Sequence, residues 1–190
     1  MTHQLRSELL KLRTTSTTAV LLLAASGLTL LAVFLEGLSP AVGALAEEGS
    51  QREMFSAVTS AVLFATFAGV IAVTSEFRYG TIRPTLLVEP RRRLVLGAKL
   101  VAAGLTGVAF GVICVAIAFG AGLSLLAARG VDVALTGPHA FNLILGTIAV
   151  SALSAMLGVA VGTLIRNQAG AIVAIVAYSV AVDATSPKRT

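Results

Sequence analysis

Charge is what this sequence has least of. Only 12% of its 190 residues are Asp, Glu, Lys or Arg, roughly half the ~25% of a soluble domain. With 56% hydrophobic residues and a mean hydropathy of +0.93, that scarcity excludes an ordinary soluble domain. A single Cys excludes an internal disulfide framework. Two His and that Cys, far apart in the chain, make no recognisable metal-binding pattern. No G-x-x-x-x-G-K-[ST] run is present, so the chain is not expected to hydrolyse ATP by itself, and no H-E-x-x-H appears. His3 and His139 fall outside the apolar runs, His139 reading as a loop residue, and Cys114 sits inside one as a packing residue. A cleavable signal peptide is not expected, because the first apolar run starts late and lacks a small-residue cleavage site.

What is present is a series of long uncharged runs. A membrane-spanning helix needs about 20 apolar residues, with a range of about 17–25. Reading between charges predicts spans at Ala19–Leu35, Phe55–Ser75, Leu100–Ala128, Ala140–Ile165 and Ala169–Val182. The fold class is therefore an all-α polytopic membrane bundle with about five spans in one domain. The third run, roughly 43 Å long as a helix, exceeds a hydrocarbon core of about 30 Å and must tilt, kink or protrude. The fifth, about 21 Å, falls short of it. That shortness and the polar tail 183–190 point to a chain that stops before a final span.

Orientation follows from where Lys and Arg accumulate. The N-terminal segment, the segment between spans two and three, and Arg166 between spans four and five hold ten of the 14 basic residues. The opposite side holds Arg52, Arg129, Lys188 and Arg189, and its first loop is acidic through Glu36, Glu47, Glu48 and Glu53. A cytoplasmic N-terminus is expected. The net charge of +5 and pI near 10.1 thus read as a topology signal, and no nucleic-acid partner is expected.

Two polar segments carry more than charge. In residues 1–15, Leu5, Leu9 and Leu12 share one helical stripe with Arg6, Lys11 and Arg13 off it, the pattern of a helix lying in the membrane interface. Between spans two and three stands EFRYGTIRPTLLVEPRRRLVLGAK, Glu76–Lys99. Gly80 permits a chain reversal, and Thr81 can cap a short helix with Pro84 in its first turn. Ile82, Leu86 and Leu87 give that helix an apolar face, Arg83 and Thr85 a polar one, and Glu89-Pro90 ends it.

The run Ser75-Glu76-Phe77-Arg78-Tyr79-Gly80-Thr81-Ile82-Arg83, with Leu86, Pro90, Arg91, Arg92 and Lys99 after it, resembles the loop of ABC-2-type transporter permeases. The opening Ser7-Glu8-Leu9-Leu10-Lys11-Leu12-Arg13-Thr14 is similar to the same family, especially small bacterial permease subunits. The resemblance covers about residues 5–180 in layout. It implies the membrane subunit of an ATP-driven exporter in a bacterial plasma membrane, paired with a second permease copy and with ATP-binding subunits that carry ATP and Mg. It also implies that Glu76, Arg78, Tyr79, Gly80, Thr81, Ile82, Arg83, Thr85 and Leu86 dock on such a subunit. Members usually have six spans, so the sixth is the one absent from this layout.

The predicted spans hold no Asp, Glu, Lys, Arg or His, whereas proton-coupled transporters place ionisable groups at depth. Energy for transport would come from a partner. Gly107-x-x-x-Gly111 in span three and Gly158-x-x-x-Gly162 in span four allow close helix approach, read first as packing within the chain. The alternative function is a non-transporting accessory or immunity protein, or an inactive truncated permease.

Overall fold

The computed structural model describes residues 16–39, 42–80, 92–135, 137–165 and 167–185. The proposed interfacial helix with Leu5, Leu9, Leu12 and Arg13 lies outside them, as do Thr81, Ile82, Arg83, Thr85 and Leu86. Among the described residues the elements are helices: α1 (Ser16–Leu38), α2 (Val42–Leu45), α3 (Glu48–Ser56), a 3-10 turn (Ala57–Thr59), α4 (Ser60–Arg78), α5 (Arg92–Ala128), α6 (Gly137–Ile165) and α7 (Gln168–Thr185). Four of these stretches are long and apolar enough to cross a membrane, the second counted as Glu48–Arg78 across its 3-10 turn. The molecule is an all-α polytopic membrane protein.

Helices run past the apolar windows at both ends. α3, the 3-10 turn and α4 form one column that starts at Glu48, seven residues before the apolar run at Phe55. α5 begins at Arg92, so its 37 residues extend about 55 Å and carry Lys99 inside the helix. The overlong third span thus protrudes as unbroken helix. α6 begins at Gly137, which puts His139 in its first turn and not in a loop. There its Nδ1 meets Glu48 Oε1 of α3.

α6 is the centre of the bundle, packed most extensively on α4 and α5, while α1 lies against α5 and α4. The α4–α6 crossing is set by reciprocal glycines. A Cβ at Gly69 would collide with the carbonyl oxygen of Ala155, and one at Gly158 with that of Thr66. Gly162 continues the seam against Val70, whose carbonyl oxygen would stand 3.2 Å from an added Cβ. Gly107 and Gly111 do the same for α5, against the backbones of Ser151 and Ile148 on α6. Hydrocarbon offers little drive to bring helices together, so backbone-to-backbone approach at small residues supplies the contact.

Two apolar clusters stack along the bundle. One gathers Ala25, Ala61, Ala65, Phe110, Ala155 and Val159. The other lies beyond it, around Val33, Met54, Phe55, Val58 and Leu126, with Phe55 stacked on Phe119 at 4.6 Å between ring centroids. Three threonine hydroxyls inside the bundle return to their own helix. Thr66 donates to Val62 O, Thr74 to Val70 O and Thr106 to Ala102 O, which satisfies them where water is absent.

The end of the bundle opposite Glu76 and Lys99 is closed by a polar knot. Gln51, fully buried, donates from Nε2 to Leu45 O (3.0 Å) and Asp132 O (2.9 Å). Its Oε1 accepts from the backbone N–H of Ala134 (2.9 Å) and Leu135 (3.3 Å). Arg129 adds a bond from Nη1 to Gly37 O at 2.7 Å. One side chain thereby ties the segment after α1 to the extended residues between α5 and α6.

Two outcomes are expected. Gly158→Val should lower detergent-solubilised stability by about 1–3 kcal/mol or more through overpacking. Gly146→Ala on the same helix, where nothing lies within 4 Å of an added Cβ, should leave the thermal midpoint unchanged or raise it. Gln51→Ala should cost about 1–3 kcal/mol by stranding buried backbone groups, read as a lower unfolding midpoint.

Candidate functional site

The residues that the sequence places at the α4–α5 reversal separate into buried and exposed sets. Glu76 lies in the last turn of α4, two residues before Arg78 ends the helix. Lys99 lies two turns into α5. Lys99 Nζ donates to Glu76 Oε1 at 2.6 Å, and each side chain is only 8% exposed. These two charges are the residues at which the predicted spans stop: Glu76 follows Ser75 and Lys99 precedes Leu100. The apolar windows are charge-free, yet their flanking charges meet inside the bundle. Glu76 therefore faces α5 rather than solvent.

Arg78 and Tyr79 are oriented differently. Arg78 is exposed and its guanidinium lies 5.8 Å from the centre of the Tyr79 ring. Tyr79 is 73% exposed, and its N–H closes the helix on Ser75 O at 2.8 Å. Gly80 then takes φ +68°, the left-handed conformation that terminates helices and that side chains with a Cβ disfavour. Phe77, on the other side of the helix, packs onto the apolar cluster.

A second surface feature lies beside the reversal. Thr74, Phe77 and Arg78 of α4 face Asn167, Gln168 and Ile172 across an open cleft. Asn167 is the cap of α7: its Oδ1 accepts from the N–H groups of Ala169 (3.0 Å) and Gly170 (3.4 Å). Its backbone oxygen accepts from Ala171 N at 2.9 Å. The polar turn that precedes the fifth helix is thus an N-cap.

Gln51 was not singled out by reading the sequence, and Lys99 entered it only as part of the resemblance and not as a site residue. For Lys99 the signal was available: an acid and a lysine each directly abut an apolar run on the same side of the membrane. For Gln51 no signal existed, because a glutamine in a polar connection resembles any solvated loop residue. Gly69, the reciprocal partner on α4, was also missed, since it belongs to no glycine pair at helical spacing. No group of three or more His, Cys, Asp or Glu side chains that could hold a metal is formed among the described residues.

The family model described as ABC-2 family transporter protein matches residues 4–182. That is nearly the whole chain. The protein belongs to the ABC-2 transporter family. No curated protein and no solved structure gives a significant match. Membership makes the chain a multi-pass membrane permease, a non-catalytic subunit of a kind that generally pairs with an ATP-binding subunit.

The cap at Asn167 gives a local expectation. Asn167→Ala should cost about 1 kcal/mol, with faster amide hydrogen exchange at Ala169 and Gly170. Asn167→Asp should retain the protection of the parent.

Proposed function

We propose that the chain is the membrane subunit of an ATP-driven ABC-2-type exporter, taking work from a separate ATP-binding subunit through the segment between α4 and α5. The basic end of the bundle faces the cytosol in this reading, and the plasma membrane of a bacterium is its setting. Ten of the 14 basic residues fall on that side, as the positive-inside rule requires. ATP and Mg belong to the partner subunit. Two permease copies pair, and cargo passes between them. The charge-free apolar windows favour an amphipathic or apolar cargo such as a lipid-like molecule, a drug or a peptide.

The observation that carries the proposal is the family match across residues 4–182, joined to the build of the α4–α5 reversal. To swing a two-state pathway from 1:99 to 99:1, a partner must favour one state by about 5.5 kcal/mol. Transmitting that much demands a connection that does not yield. Helix α4 ends on a glycine-set reversal, and the segment that follows returns to a helix of 37 residues. Arg78 and Tyr79 stand exposed at the start of that segment, open to a partner's surface.

Copurification from mild detergent tests the pairing, with a stoichiometric ATP-binding subunit as the expected result. Arg83→Glu should then weaken the association and uncouple ATP hydrolysis from efflux without preventing membrane insertion. If the chain purifies alone, or Arg83→Glu leaves partner binding and efflux unchanged, the coupling assignment fails and the accessory reading gains.

A further inference from the structure

We propose that Glu76 and Lys99 are a positioning pair, a clamp that makes the adjoining ends of α4 and α5 move as one body when the intervening segment is pushed. The ATP-driven part rests on the proposed function. The clamp itself is a claim about this chain alone.

Placement comes first. The pair spans the neck of the reversal, joining the last turn of α4 to the second turn of α5 at 2.6 Å. The segment expected to receive the partner's push is closed off at its base. Without a tie there, a push would spread the two helices apart and dissipate. With one, both helices turn together, and α6, packed on each of them, is carried along.

Burial comes second. At 8% exposure for each side chain the pair is little screened by salt. It is nevertheless poor as a stability device: apolar replacements of similar volume are often neutral or stabilising, whereas removal of one partner is strongly destabilising. A charged pair at this neck contributes orientation, because a hydrogen-bonded ion pair fixes one geometry and an apolar contact tolerates many.

The seam beside it comes third. Ala68, Gly69, Ala72 and Val73 of α4 meet Ala102, Ala103 and Thr106 of α5 and Val159 of α6 around a crevice of about 20 Å3 that Lys99 also lines. That is room for about one water molecule. The seam is thus not fully packed beside Lys99, and the ion pair closes it at that end.

The test uses spin labels at Tyr79→Cys and Leu96→Cys, both exposed positions, in a Cys114→Ala background reconstituted in lipid. The parent should give one narrow distance in the isolated permease. Glu76→Gln or Lys99→Gln should broaden it, at the cost of stranding a buried charge. The double variant Glu76→Met/Lys99→Met strands no charge and should fold, yet still broaden the distribution. The swap Glu76→Lys/Lys99→Glu should narrow it again. In the full complex, the ATP-dependent change in maleimide labelling of Val133→Cys at the far end should fall about fivefold or more in the double Met variant, with partner binding intact. A double Met variant that keeps the narrow distance and the full ATP response would overturn the clamp, as would a swap that stays broad. A parent without any ATP response at Val133→Cys would count against ATP coupling, and the 79–96 distances would still decide the clamp.

Discussion

Helices surrounded by hydrocarbon gain little from burying apolar side chains against each other, because lipid is as apolar as the partner helix. The bundle must therefore be held by close backbone approach and by polar groups that find partners inside it. Both devices are visible, and they occupy different places. The middle of the membrane is held by glycine: Gly69 on Ala155, Gly158 on Thr66, Gly107 on Ser151. Between them the Thr29 and Ser60 hydroxyls join α1 to α4 at 2.6 Å, and the larger polar ties lie toward the two ends, where helices emerge from the apolar windows and the cost of a misplaced group is lower.

The two ends are built unlike each other. At the far end Gln51 makes four hydrogen bonds to backbone groups of two connections, and Arg129 holds the end of α1. This is a stitched lid over a packed aromatic cluster. At the basic end a buried ion pair joins α4 to α5 across an alanine-lined seam. Helix α7 is attached more lightly, with Val173, Val176 and Tyr178 exposed to whatever surrounds the bundle.

How far this was legible in the sequence depends on which force wrote the signal. Four apolar stretches long enough to span were plain, because hydrocarbon excludes charge and the chain marks most of their ends with one. Helix lengths were less so: nothing in composition stops a helix where lipid ends, and α5 and the Glu48–Arg78 column both run on into polar sequence. The pairs Gly107/Gly111 and Gly158/Gly162 could be seen, but the surface each would meet could not, since lipid-facing and protein-facing positions are equally apolar and no amphipathic stripe separates them. Glu76 and Lys99 were each recognisable as boundary charges. Their meeting was hidden, because residues 23 apart across a reversal share no periodicity. Glu76 was accordingly grouped with the partner-facing residues, while its carboxylate is turned inward. Gln51 left no trace at all, because a hydrogen-bond hub is defined by what folds around it.

The central claim is that the α4–α5 reversal lies on the cytosolic side and is covered by an ATP-binding companion. Membrane-impermeant thiol labelling of Tyr79→Cys in a Cys114→Ala background, in sealed vesicles of each orientation, tests it directly. The account expects modification only when the cytosolic face is outward, and marked protection once the companion subunit is bound. Modification from the opposite face, or equal reactivity with and without the companion, would contradict it.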